Sequence, residues 1–300
     1  MATNLAKYVS SLGDTLRVWN RDGAKTAALM AEEANVGRMT PVPSLADLGL
    51  QCSIIFTMLS HDTAVREVMT ALCSAAAART RWSGEGDAPA RPACIMVDCS
   101  TVSPDTTREL SAAAEHCGAL YVACPVLGRP DAAAAAKLLL FCAGPDAAKQ
   151  RIAPFVRSLG RKVIDLSGDA SKANIMKLLA NFHLVSLIEL LSEGMTLAEK
   201  NGIGRQTYMS FIDEILPVPI VHGYGSRMAS DSFDAGLGFT VTLGLKDVNL
   251  MRKLGEDSET PLPLADVAYQ HLLAAKAAGL ADKDWAALAV ATRRAAGLDG

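Results

Sequence analysis

The 300-residue chain lacks any marked charge excess: 29 Lys and Arg against 32 Asp and Glu leave a formal net charge of −3 at pH 7. Its basic residues are dispersed, so it carries no electrostatic footprint for nucleic acid or an anionic membrane. The seven cysteines, Cys52, Cys73, Cys94, Cys99, Cys117, Cys124 and Cys142, include no C-x-x-C pair. An odd count, mostly within apolar segments of a long chain, reads as buried free thiols in a reducing compartment, not as a disulfide framework or metal site. No basic stretch leading into an apolar one opens the chain, and no run reaches the roughly 18 uninterrupted apolar residues of a membrane span. A soluble cytoplasmic protein without nucleic-acid or membrane partners is therefore expected. Aromatics are few, at 5%, yet 50% of residues are apolar and 20% charged, close to the globular average. That balance excludes disorder, a collagen-like chain and a coiled-coil rod. The length is about twice the commonest domain size, so two domains are expected.

From Asp14 to Ser167, short β-rich runs alternate with helical ones. Strands are predicted at Thr15–Trp19, Ser53–Leu59, Cys94–Asp98, Leu120–Ala123, Leu138–Ala143 and Lys162–Leu166, several of them continuous apolar stretches of the kind covered on both faces. Helices are predicted at Ala24–Glu33, Thr63–Ala78, Asp105–His116 and Asp146–Ser158, and a surface loop at Arg81–Pro92. This alternation is the mark of a doubly wound, Rossmann-like parallel sheet. After Ser167 no strand is predicted. Ser171–Lys200 is one long helical pattern stopped by Asn201-Gly202, followed by helices at Gln206–Glu214, Thr240–Leu254, Leu264–Ala278 and Asp284–Ala296. The expected organisation is an α/β domain over residues 1–167 and an all-helical domain over 168–300.

The first strand candidate ends in Trp19-Asn20-Arg21. In dinucleotide-binding domains this position meets the adenosine ribose, where an acidic side chain selects NAD and an arginine accommodates the 2′-phosphate of NADP. Asn20 and Arg21 fit NADP, although Asp22 directly follows. An arginine closing a strand is by itself more often a solvated charge. It gains meaning from its company: Met1-Ala2-Thr3-Asn4-Leu5-Ala6-Lys7, Thr57-Met58-Leu59-Ser60, Asp98-Cys99-Ser100-Thr101-Val102-Ser103-Pro104, Ala123-Cys124-Pro125-Val126-Leu127-Gly128, Lys177 with Asn181, Lys246-Asp247 and Leu262-Pro263. In this order they resemble the β-hydroxyacid dehydrogenases, which include 3-hydroxyisobutyrate dehydrogenase and the glyoxylate/succinic semialdehyde reductases. The resemblance runs through essentially the whole chain.

The resemblance implies hydride transfer between NAD(P) and a small carboxylate-bearing β-hydroxyacid or its carbonyl counterpart; Asn20 and Arg21 point to NADP, with NAD as the alternative. It makes Lys177 the general acid/base and Asn181 the substrate anchor. The spacing is physically sensible, because positions i and i+4 share a helical face. It also implies that Met58, Leu59 and Ser60 line the cofactor, that Ser100 and Thr101 approach the reacting centre, with Ser100 on the substrate, and that Lys246 lies near the nicotinamide. The substrate loop departs from the family's Asp-Ala-Pro-Val-Ser-Gly-Gly: Leu127 replaces the serine, and Arg129 follows Gly128. That pattern predicts an altered substrate, its carboxylate held at Gly128 with help from Arg129. The positions matching the His and Glu of the 6-phosphogluconate dehydrogenase helix are Ala180 and Leu184, against decarboxylating sugar-phosphate chemistry, and Lys177 argues against imine reductases. A homodimer or homotetramer built through the helical domain is expected.

The family's first strand and its Gly-x-Gly-x-Met-Gly turn precede the helix in which this sequence starts, and no later G-x-G-x-x-G replaces them. A Rossmann-like sheet missing its first strand, with weakened cofactor binding, is therefore expected. Two explanations compete: a start that lies further upstream, or a degenerate, non-catalytic member acting as an oligomerising interaction protein. Retention of Lys177 and Asn181 favours the first.

Overall fold

The computed structural model describes residues 1–82, 93–234 and 238–298. The chain divides into two compact units, Met1–Lys177 and Leu178–Gly300. The first alternates helices and strands: α1 (Ala2–Ser11), β1 (Leu16–Val18), α2 (Gly23–Ala31), β2 (Met39–Pro41), α3 (Leu45–Gln51), β3 (Ile54–Thr57), α4 (Asp62–Trp82), β4 (Ile95–Asp98), α5 (Pro104–His116), β5 (Leu120–Ala123), β6 (Val126–Leu127), α6 (Pro130–Ala134), β7 (Leu138–Cys142), α7 (Asp146–Arg157) and β8 (Gly160–Asp165). Local signals set many boundaries. Ser103 caps α5 by accepting from Thr106 N, Pro104 opens it, and Gly118 at φ +72° closes it.

The expected parallel sheet is present in pieces. β1 pairs with β2, and β3, β4 and β5 form a second set, all parallel. A third set, β6-β7-β8, is mixed, because β6 runs antiparallel to β7, and an Ala123–Ala143 bridge joins it to the end of β5. Among the described residues, β1 and β3 each keep one unpaired edge. The ladder bonds Leu16 N to Arg38 O and Val42 N to Val18 O turn residues 16 and 18 towards β2, so the backbone of Arg17 points the other way. Likewise Ile95 N to Ser53 O and Cys99 N to Thr57 O leave Ile54 and Phe56 facing outward. Both edges line one cavity of about 570 Å³, walled also by Leu5 of α1 and Phe155 of α7.

Four elements of this unit escaped prediction: β2, α3, β6 and α6, each of two to seven residues and too short for a periodic pattern. Of the predicted loop Arg81–Pro92, Arg81 and Trp82 belong to α4, and the remainder lies outside the described residues.

α8 (Ser171–Lys200) runs from the first unit into the second. Among the described residues it is the one helix long and apolar enough to cross a membrane, yet Lys177, Asn181, Glu189 and Ser192 are all buried along it. That is the pattern of a core helix rather than a lipid-facing one. The second unit adds α9 (Arg205–Ile215), α10 (Pro219–Ala229), α11 (Val241–Asp257), α12 (Pro263–Ala275) and α13 (Leu288–Ala295) around one apolar core that includes Leu178, Ile188, Met228, Val248, Leu272 and Trp285. α10 was not predicted, since Gly223, Gly225 and β-branched Ile220 and Val221 make it a poor helix by propensity. Packing overrides propensity there: a Cβ on Gly225 would come within 2.4 Å of Met209 on α9.

Candidate active site

The C-terminal ends of β1, β3, β4 and β5 release most of the residues singled out in the sequence. After β1, Asn20 and Arg21 are exposed, and Asn20 Oδ1 accepts from Asp22 N at 2.9 Å. The Asp22 carboxylate caps α2 by accepting from Ala24 N at 3.0 Å. The acidic side chain that blurred the NADP signal is thus used locally. After β3, Met58 is 58% exposed, Leu59 half-buried and Ser60 exposed.

After β4 come Ser100 and Thr101. Ser100 is fully buried, gives its hydroxyl proton to Asp98 Oδ1 at 2.6 Å, and accepts from Leu59 N at 2.9 Å. Its hydroxyl is engaged within the fold on both sides. Thr101 beside it is half-buried. The next turn is held by Asn174 of α8, whose Oδ1 accepts from Val102 N at 3.2 Å and whose Nδ2 donates to Thr107 Oγ1 at 3.0 Å. Asp62 fastens the same turn from α4, accepting from Ser103 N at 2.9 Å and Thr106 Oγ1 at 2.6 Å. Burial pushes the Asp62 carboxyl up, but the Thr106 and Ser103 hydrogen bonds outweigh it and hold it below its ordinary value.

Past β5 the chain enters β6, where Leu127 pairs with Leu139 and is half-buried. Gly128 follows at φ +147°, and a Cβ there would stand 2.7 Å from Leu138 Cδ2, so only glycine fits the corner. Arg129, half-buried, precedes Pro130 at the start of α6.

Lys177 is 6% exposed and Asn181 2%, one turn apart on α8. In the helical unit, Asn181 Nδ2 donates to Asp247 Oδ2 at 2.6 Å, and Lys246 Nζ lies 2.8 Å from Asp247 Oδ1 as an ion pair. Asp247 is itself 1% exposed. Sequence reasoning named Lys246 and Asn181 but gave Asp247 no part, although it is the residue that ties them together. Asp98 and Asn174 were likewise passed over. The available signal was a carboxylate closing the apolar run Ile95-Met96-Val97 and an amide among the apolar residues of α8. Among the described residues no cluster suits a metal ion, and all seven cysteines are free thiols.

Residues 1–168 match the family model of the NAD-binding domain of 6-phosphogluconate dehydrogenase. Residues 171–292 match that of the NAD-binding domain of NADP-dependent 3-hydroxyisobutyrate dehydrogenase. The chain belongs to the β-hydroxyacid dehydrogenase family. It is 35% identical to an uncharacterized oxidoreductase, YfjR, of Bacillus subtilis over 96% of this chain and 95% of that one. It is 27% identical to glyoxylate/succinic semialdehyde reductase 1 of Arabidopsis thaliana, over 98% and 94%. Among solved structures it superposes on the Mycobacterium tuberculosis 3-hydroxyisobutyrate dehydrogenase determined with L-serine at a TM-score of 0.78, with 25% identity and coverage of 97% and 95%. This family context makes the protein an NAD(P)-dependent oxidoreductase and disfavours the non-catalytic reading.

Parallel strand ends, where dinucleotides bind, release Arg21, Met58 and Ser60 to the surface.

Proposed function

We propose that the protein is an NADP-preferring β-hydroxyacid dehydrogenase that interconverts a small β-hydroxyacid and its carbonyl counterpart, with Lys177 as general acid/base. The observation that carries this reading is the burial of Lys177 at 6% exposure, one turn from Asn181, which Asp247 holds at 2.6 Å. A helix lysine with no task of its own reaches for water along its apolar stem; this one gives up that solvation. During reduction Lys177 Nζ delivers a proton to the nascent alkoxide oxygen, and during oxidation it removes the hydroxyl proton. Asn181, its amide orientation set by Asp247, anchors the substrate. The bound cofactor supplies or accepts the hydride. Asn20 and Arg21 hold its adenosine end, and Met58, Leu59, Ser60 and Thr101 line its path. Exposed Arg21 after β1 supports NADP, because it offers a charge to a 2′-phosphate. The loop at Gly128 takes the substrate carboxylate with Arg129 beside it. Exposed Leu190, Leu197 and Phe211, at 61%, 67% and 55%, suit a helical unit that joins copies in a homodimer or homotetramer.

Glyoxylate and succinic semialdehyde, offered with NADPH, test the reading through the loss of NADPH absorbance. Lys177→Ala is expected to lower kcat about 10²- to 10⁴-fold while NADPH binding persists. Turnover undiminished in that variant overturns the assignment.

A further inference from the structure

β4 is buried at every position, and its last residue, Asp98, is 0% exposed. A carboxylate at the end of so apolar a strand forfeits its hydration, and burial pushes the Asp98 carboxyl up against the opposing hydrogen bonds. Its neighbours are hydroxyls and one backbone amide. Asp98 Oδ1 accepts from Thr57 Oγ1 at 2.8 Å, Ser100 Oγ at 2.6 Å and Ser100 N at 3.1 Å, and Oδ2 accepts from Tyr121 OH at 3.2 Å. Thr57 ends β3 and Tyr121 belongs to β5, so one carboxylate gathers three adjacent strands. The chain of bonds goes one step further, since Ser100 Oγ accepts from Leu59 N. A local conflict of this kind, a buried acid in an apolar strand, is where a functional demand is to be sought.

We propose that Asp98 is a positioning residue for cofactor binding, which acts through Ser100 to set residues 58–60 against residues 100–101. The proposal rests on the reading that those two segments hold the nicotinamide cofactor. Asp98 touches neither cofactor nor substrate; it fixes the two segments that do.

Two substitutions separate positioning from bulk stability. Asp98→Asn keeps an oxygen towards Ser100 and Thr57 and turns an amide towards Tyr121, whose hydroxyl can accept. Asp98→Ala removes every acceptor. Asp98→Ala is expected to raise the KM for NADPH about tenfold, with kcat changed by no more than about threefold. Asp98→Asn is expected to restore the parent KM. Hydrogen exchange at the Leu59 amide, followed without cofactor, is expected to accelerate about tenfold in Asp98→Ala and not in Asp98→Asn. A folded Asp98→Ala protein with parental KM and a parental Leu59 exchange rate overturns the proposal. Should Asp98→Ala not fold, Ser100→Ala cuts the same link at its far end; unchanged Leu59 exchange there overturns it equally. A parent protein that binds no NADPH defeats the functional reading instead, and Leu59 exchange alone then decides whether Asp98 sets the segment.

Discussion

The two units solve the burial problem differently. In the helical unit, six helices close on a single core, and its largest side chain, Trp285, is 1% exposed, stacked edge-on against Phe239 and donating its indole N–H to Tyr224 OH at 3.0 Å. The α/β unit instead divides its strands into three sets and leaves two parallel edges facing a cavity of about 570 Å³. It also buries a polar network around Asp98, Ser100 and Asn174 where the strands end. Helices satisfy their backbone groups internally, so helical packing can be apolar and continuous. Strands satisfy theirs only through neighbours, so every edge is a point where order can fail and where a ligand can be met.

That contrast can be broken by experiment, and the largest difference expected is in hydrogen exchange. Amides of Arg17, Ile54 and Phe56, on the unpaired edges, should open at almost no cost, whereas Ile188 in the helical core should approach the global value, a gap of about 5 kcal/mol or more. Equal protection at both would mean that the edges are covered. Next in size, Trp285→Ala should destabilise the helical unit by about 3–5 kcal/mol, seen as a lower melting temperature by calorimetry. A loss under about 1 kcal/mol would show that the core does not depend on that cluster. NADPH at about a hundred times its dissociation constant should stabilise the α/β unit by about 2.7 kcal/mol. An equal rise in the helical transition would contradict a cofactor carried by the strand ends.

The smallest effect tests a charge inside the helical core. Glu189, 2% exposed, accepts from His271 Nδ1 at 2.6 Å, and this hydrogen bond raises the His271 pKa above its ordinary 6.5. Because the folded value lies above the unfolded one, the stabilisation is complete below about pH 6.5 and is lost as pH rises through the folded value. Relative to His271→Gln, the parent should lose stability as pH rises from below about 6.5 through the raised value. Parallel stability curves for the two proteins would remove the pair from the account.

Much of this was legible in the residues. The α8 boundaries follow from its pattern and from Asn201-Gly202, with Gly202 at φ +75° and Ile203 N returning to Ala198 O. β5 is likewise found where its apolar run lies. Lys177, Asn181 and Gly128 were named through the family resemblance, with the i, i+4 spacing of the first two consistent with a shared helical face. The short elements β2 and β6 were illegible because two or three residues carry no period, and α10 because its glycines and β-branched residues argue against the helix that packing imposes.

By itself, the sequence determined the alternation of strands and helices, the change to an all-helical half and the residue types capable of the chemistry, since these rest on local periodicity, turns and motifs. Only the tertiary structure decided that the Ser100 hydroxyl faces Asp98, that Asp247 binds both Asn181 and Lys246, and that an Ala123–Ala143 bridge joins the β6-β7-β8 set to β5. Each of these joins residues brought together by folding or depends on which strands pair. Hydrogen bonds act over about 3 Å of space, whatever the distance along the chain.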